Sequence, residues 1–297
     1  MVDISVTLPD DFFNEEVFEG IHISRKIKEV QAIQLNIWRE VDRICKKHNI
    51  PYWADGGTLL GTVRHGGFIP WDYDMDLMMR RDDYERFIKI CDSELKYPFR
   101  NDDFRFSKVK DMRTFMAKKR YVQYNPNSKT LCIFIDIFPF DNVDMDDKEI
   151  VKTVVEAQEM VRYLMGDCNN KRIFLRPNKN LFVKKLKKKC NKYNDVDTGY
   201  ICNLVVPYHK GCIKSLEDFK TTKYLKFEGF DMPVPGNYEH VLTDLFGDWK
   251  KPVLSKMGSK YYVNTSMNFD EIKAKKIDWE NDSFIDIDND GRFGENT

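Results

Sequence analysis

The residues best suited to chemistry stand close together. In FIPWDYDMDL (68–77), Asp72, Asp74 and Asp76 occupy alternate positions. On an extended strand beginning by Trp71, such positions share a face and lie about 6.8 Å apart. Three anions on one face repel each other, so the pattern calls for something positive. Hard cations such as Mg²⁺ take carboxylate oxygens and leave room for phosphate and water. Carboxylates at this spacing can bracket one ion or bridge two. The plain alternative is a solvated acidic turn.

Just upstream, GGTLLGTVRHGG (56–67) holds five glycines in 12 residues around a short apolar turn. Gly56, Gly57, Thr58 and Gly61 form a turn into a short helix. Such a turn lets backbone N–H groups approach a phosphate, helped by the helix N-terminus. Arg64 and His65 add cationic and hydrogen-bonding reach. A phosphate cradle followed closely by a metal-binding strand is a phosphoryl-transfer arrangement. The glycine spacing is neither a P-loop nor a dinucleotide-binding fingerprint. A further acid, Asp136, interrupts the apolar run LCIFIDIF (131–138). A lone carboxylate there is costly unless paired or metal-bound. It is either a partly exposed edge residue or a third strand-borne carboxylate facing the aspartates from the next strand. Asp141 reads as a cap or turn residue.

These side chains need a frame. Ile27, Val30, Ile37, Val41, Ile44 and Cys45 recur at helical spacing over 22–48, a pattern that Asn49 and Pro51 end. Short strands are expected at 52–55 and 72–79, and Asp82 as the cap of a helix carrying Tyr84, Phe87, Ile88 and Cys91 on one face. Further strands are expected at 104–110, 115–121 and 131–138, and a helix at 147–165. Later come a strand-like KYLKFEG and a helical EHVLTDLF.

The 297 residues carry 48 basic and 48 acidic side chains, a balance that argues against a DNA-coating protein. No stretch approaches the roughly 18 apolar residues of a spanning helix. The acidic start lacks the apolar run of a signal peptide, so a cytoplasmic location is expected. The seven cysteines are scattered, without a CxxC pair, and read as reduced, mostly buried thiols.

The stretch DGGTLLGTVRHGGFIPWDYDMD (55–76) resembles the core motif of the LicD family, the phosphocholine transferases of bacterial surface polymers, which the fukutin-related transferases share. The similarity extends through CKKHNIPYW and DYERF, and returns at FIDIFPFD and FEGFDMPVPGNYEHVLTDLFGDWKKP, covering about residues 27–257. Residues 165–215 and the tail are not family-typical.

The resemblance implies a mixed α/β fold: a nucleotidyltransferase-like core akin to the DNA polymerase β superfamily, with a small mixed sheet flanked by helices. The corresponding organisation is an N-terminal helical segment (1–50), a catalytic core (51–145), a helical and mixed accessory region (146–270) and an acidic tail (271–297). The implied reaction transfers a phospho-alcohol, usually phosphocholine from CDP-choline, to a sugar hydroxyl of a surface glycan such as teichoic acid, lipopolysaccharide or capsule, releasing CMP. Other CDP-alcohols, of glycerol or ribitol, would use the same machinery. The alternative is nucleotidyl transfer with release of pyrophosphate. By the resemblance, Asp74, Asp76 and Asp136 are the metal-binding and catalytic carboxylates, for Mg²⁺ or Mn²⁺, with Asp72 accessory. Asp136 would hold a second ion or act as general base. Gly56, Gly57, Thr58, Arg64 and His65 would hold the donor phosphates. The partners are a CDP-alcohol and a glycan acceptor, expected to be lipid-linked, and no nucleic acid.

Choline would need aromatic faces, for which Tyr52, Trp53, Trp71, Tyr73, Tyr121 and Tyr124 are candidates, although most aromatics pack a core. The stretch LFVKKLKKKCNKY (181–193) is a basic amphipathic helix with Lys184, Lys185, Lys187, Lys188 and Lys189, suited either to docking on the core or to peripheral contact with anionic membrane. DIDNDG (286–291) imitates the start of a calcium loop but lacks its closing Glu.

Overall fold

A computed structural model describes residues 6–72, 74–95, 99–103, 120–124, 134–149, 152, 188, 191–203 and 212–252. The elements in chain order are β1 (Glu16–Phe18), β2 (Ile21–Ile23), α1 (Arg25–His48), β3 (Trp53–Ala54), α2 (Gly56–His65), β4 (Asp76–Arg80) and α3 (Arg81–Glu94). There follow β5 (Phe99–Asp103), β6 (Arg120–Tyr124), β7 (Phe134–Asn142), β8 (Tyr200–Cys202), β9 (Ile213–Ser215), β10 (Thr222–Phe227), β11 (Phe230–Pro235) and α4 (Tyr238–Phe246).

The main sheet runs β3-β4-β7-β6-β5, with β8 and β9 joined to the far end of β7. Among the described strands only β4 and β7 pair in parallel; the other pairings in the sheet are antiparallel. It is a mixed sheet flanked by helices, as the sequence led one to expect. Strands from both sides of residue 145 share it. The middle of β4 (Leu77, Met78, Met79) is buried, and so is β7 from Ile135 to Asn142. That explains the near-continuous apolar runs, since a strand covered on both faces has no reason to alternate.

Helix α1 supplies the largest apolar face. Ile37, Val41 and Ile44 are fully buried, and so is Trp38, whose ring meets Phe227 and Phe230 of the β10–β11 hairpin edge-on. Its indole N–H donates to Tyr52 Oη at 2.9 Å, and Tyr52 donates to Asp42 Oδ1 at 2.9 Å, so the buried indole and phenol groups are both satisfied. Asn49 ends the helix in the left-handed conformation, its N–H reaching back to Cys45 and Lys46.

Several boundaries differ from expectation. β4 begins only at Asp76, because Asp72 closes a turn through its N–H to Ile69 O at 2.8 Å. The three aspartates therefore do not share a strand face. Helix α3 is preceded by Arg80 as its cap residue; Asp82 lies within the first turn. Of the strand expected at 131–138, residues 131–133 lie outside the described ones, and β7 continues past 138 to Asn142. Asp141 is neither cap nor turn: it is buried within β7, where Arg81 grips both its oxygens at 2.8 and 2.7 Å. Among the described residues Cys45, Cys91, Cys202 and Cys212 are free and buried, and no helix is long and apolar enough to cross a membrane. The strand expected at 104–110 and the calcium-like loop lie outside the described residues, as do nearly all of the helix expected at 147–165 and the lysine-rich stretch 184–189.

Candidate active site

The parallel pairing of β4 with β7 sets Asp76 opposite Asp136. In-register residues on neighbouring strands project to the same face, with the strands about 4.8 Å apart. The two acids are thus cross-strand neighbours. Their backbones are tied by the Asp136 N–H, which donates to Met75 O at 2.9 Å. Asp136 is buried and Asp76 half-buried.

Helix α2 starts directly beside them. Asp55 N–H donates to Asp76 O at 3.0 Å, and Asp76 N–H donates to Thr58 Oγ1 at 2.8 Å, so the first helical turn is stitched to the head of β4. Gly56 has φ +51°, and a Cβ there would meet Asp76 Oδ2 at 3.4 Å. A Cβ on Gly57 would meet Asp72 Oδ2 at 2.8 Å, closer than real Cβ contacts come. Gly57 therefore makes room for the Asp72 carboxylate, while Gly56 is suited to its left-handed backbone and leaves Asp76 at ordinary contact distance. Asp74 stands two residues before β4, half-buried, and, like Asp72 and Asp136, is not among the residues that line the adjoining cavity.

No group of three His, Cys, Asp or Glu side chains arranged to hold a metal occurs among the described residues. The donors present are nonetheless all carboxylate oxygens, and one of them, Asp72 Oδ2, lies where a Cβ would otherwise intrude. Such a set fits a hard cation like Mg²⁺, which takes one or two carboxylates and completes its shell with water and substrate phosphate.

A cavity of about 570 Å³ opens against this cluster. Asp55, Gly56, Gly57 and Asp76 form its polar floor, and Phe138, Phe140, Leu245 and Phe246 supply apolar wall. Lys214 of β9 also lines it, 5% exposed, with its Nζ 3.3 Å from Asp55 Oδ1 and 5.7 Å from the centre of the Phe140 ring. The sequence did not single out Lys214; among 48 basic residues no local signal distinguishes it.

Other predicted residues sit elsewhere. Gly61 is inside α2, packed against the Gly67 carbonyl. Arg64 and His65 close the far end of that helix, roughly 13 Å from Gly56 at 1.5 Å per residue. There Arg64 donates to Trp249 O at 3.0 Å. Burial, with the charge of Arg64 next to it, lowers the His65 pKa to about 4. Neither residue is positioned by α2 to meet a phosphate at its N-terminus. Of the aromatics proposed for choline, Tyr52, Trp53 and Trp71 are buried in the core; the side chains of Tyr73, Tyr121 and Tyr124 lie outside the described ones.

The loop between α2 and β4 is held from two sides. Gln31 Nε2 of α1 donates to Asp72 O at 2.8 Å. Glu228, at the tip of the β10–β11 hairpin, accepts the Phe68 N–H at 3.0 Å, while its own N–H donates to Gly66 O at 2.9 Å. Glu228 and Gly229 both have positive φ, 49° and 84°, forming the two-residue turn that suits a twisted hairpin. Burial pushes the Glu228 carboxyl up from its usual range.

Residues 49–163 match the family model described as LicD/FKTN/FKRP, nucleotidyltransferase domain. These residues are a LicD domain. The chain is 28% identical over 253 residues to the lipopolysaccharide cholinephosphotransferase LicD of Haemophilus influenzae, covering 76% of this chain and 91% of that protein. It is 32% identical over 108 residues to the ribitol 5-phosphate transferase FKRP of Mus musculus and 31% identical over 108 residues to that of Homo sapiens. Each of those alignments covers 34% of this chain and 19% of the relative, so the chain spans about a fifth of the FKRP proteins it matches. The LicD domain contains β3, α2, β4 and β7, hence Asp55, Asp76 and Asp136. The cavity is completed from beyond it, by Asn203, Cys212, Lys214, Leu245 and Phe246.

Proposed function

We propose that the protein is a phosphotransferase that moves a phospho-alcohol from a CDP-linked donor to a sugar hydroxyl of a bacterial surface glycan, releasing CMP. Phosphocholine from CDP-choline is the leading donor, on the similarity to the Haemophilus cholinephosphotransferase. The observation that carries this reading is the register of Asp76 with Asp136 beside the glycine start of α2. It gathers carboxylates and backbone N–H groups at one end of a substrate-sized cavity.

The acceptor oxygen attacks the phosphorus that bears the alcohol. The bond from that phosphorus to the CMP oxygen breaks, and CMP leaves with the electron pair. Asp76 and Asp136, with Asp72 close by, would hold Mg²⁺ or Mn²⁺, which supplies charge neutralisation on the donor diphosphate when bound. Asp74, two residues ahead of Asp76, would be a further ligand to that ion. Asp136 either shares that ion or takes the proton from the acceptor hydroxyl. The N–H groups at the start of α2 orient the phosphate oxygens. The apolar wall excludes water, which would otherwise compete with the sugar.

Incubation of the purified protein with Mg²⁺, a glycan acceptor and CDP-choline, CDP-glycerol or CDP-ribitol tests this. Release of CMP together with an acceptor heavier by one phospho-alcohol is expected. Release of pyrophosphate from a nucleoside triphosphate, with a nucleotide added to the acceptor, would replace this reading with nucleotidyl transfer.

A further inference from the structure

We propose that Lys214 is the protein cation that receives the donor's diphosphate. The proposal rests on the phosphotransferase reading of the site. Lys214 enters from β9, outside the LicD domain, and among the described residues that line the cavity it alone is a cation. It is buried, its ammonium lies 5.7 Å from the centre of the Phe140 ring, and that ammonium meets Asp55, the residue that caps the start of α2.

A buried charge must be compensated, and Asp55 compensates Lys214 in the free protein. Yet an ammonium has three N–H donors, and one carboxylate oxygen at 3.3 Å does not use them all. The cavity floor is otherwise anionic, with Asp55 and Asp76 on it and Asp136 opposite Asp76. A diphosphate entering there adds negative charge beside carboxylates. A divalent cation offsets part of that repulsion. Lys214 is placed to offset more, by turning an N–H from Asp55 toward a phosphate oxygen without leaving its buried position. Its ammonium also occupies the neighbourhood of Phe140, so that ring is poorly placed to receive a quaternary ammonium. The alcohol end of the donor is thereby directed away from β9.

The test compares Lys214→Met, which keeps the length and removes the charge, with Lys214→Arg, which keeps the charge. In steady-state kinetics the Met variant should raise the donor KM at least about tenfold, the effect of losing one charge-assisted hydrogen bond, and leave the acceptor KM within about twofold. Calorimetric binding of inorganic pyrophosphate with Mg²⁺ should weaken by a similar factor, while inhibition by cytidine stays unchanged. The Arg variant should remain near wild type. If Lys214→Met misfolds because Asp55 is left unpaired, the double variant Asp55→Asn, Lys214→Met carries the same readouts without a buried charge. Wild-type donor KM and pyrophosphate affinity in a folded Met variant, or values in the double variant equal to those of Asp55→Asn alone, would overturn the proposal and leave the phosphotransferase reading intact. Failure of the wild-type protein to consume any CDP-alcohol would instead overturn that reading, and pyrophosphate binding would still report on Lys214.

Discussion

Asp76 and Asp136 sit side by side although 60 residues separate them in the chain, because β4 and β7 pair in parallel with these two positions in register. Parallel neighbours need a long crossover, so such a pair can only be assembled from distant sequence. The arrangement concentrates negative charge where the sheet meets the start of α2.

Replacing either acid by its amide should separate function from folding. Asp76→Asn and Asp136→Asn should each lower turnover by roughly a hundredfold or more. Removing one of two neighbouring like charges should leave the metal-free melting temperature unchanged or slightly higher. Thermal melts with and without Mg²⁺, beside kinetic assays, check both parts; near-wild-type turnover would remove the residue from the site. If Asp136 is the base, lost activity returns at high pH; if it binds metal, excess Mg²⁺ restores it.

Gly57→Ala places a Cβ where Asp72 Oδ2 now lies, 2.8 Å away. The carboxylate can swing aside, so the fold should survive. Metal and donor affinity should fall about tenfold or more if Asp72 belongs to the site. Calorimetric titration of Mg²⁺ measures this directly, and unaltered affinity would place Asp72 outside the metal's reach.

Gly61→Ala exchanges a poor helix former for the best one, yet it should destabilise. The added carbon would lie 2.5 Å from the Gly67 carbonyl and 3.1 Å from the Ile69 nitrogen, both backbone atoms. The loop must shift to accommodate it, at a cost of about 1–3 kcal/mol for overpacking that outweighs a propensity gain of about 1 kcal/mol. Denaturant unfolding should show a lower midpoint at unchanged slope.

Glu228 makes the stability of its contact with the loop depend on pH. Its carboxyl pKa is raised by burial, so its contribution to stability is fully present below the usual Glu value of 4.5 and is lost as pH rises through the raised folded value. Glu228→Gln should therefore be at least as stable as wild type at pH 7 and lose that advantage at pH 4. Glu228→Ala leaves the Phe68 N–H without its acceptor and should cost about 1–3 kcal/mol. Equal pH profiles for wild type and the Gln variant would show that Glu228 carries no charge-dependent strain.

Local physics made much of this protein legible from its residues. The 3.6-residue period of α1, its stop at Asn49 and Pro51, and the apolar runs of β4 and β7 depend on near neighbours and on total burial, and so they show in one dimension. The acidic stretch 72–76, the glycine pairs and the lone acid in LCIFIDIF likewise drew attention to Asp76 and Asp136. The tertiary structure alone decided how these pieces meet. A strand period suggested that Asp72, Asp74 and Asp76 share a face, but the Asp72 turn breaks that period, and the neighbour of Asp76 is Asp136 across the sheet. Arg64 and His65 are close to Gly56 in sequence but a whole helix away in space. Asp141, read as a turn residue, is buried against Arg81, and Lys214, unremarkable in sequence, faces Asp55 in the cavity. Side-chain type and local spacing are written in the chain. Strand register and long-range ion pairs are chosen by the burial of distant segments against one another, and no short window of sequence contains that choice.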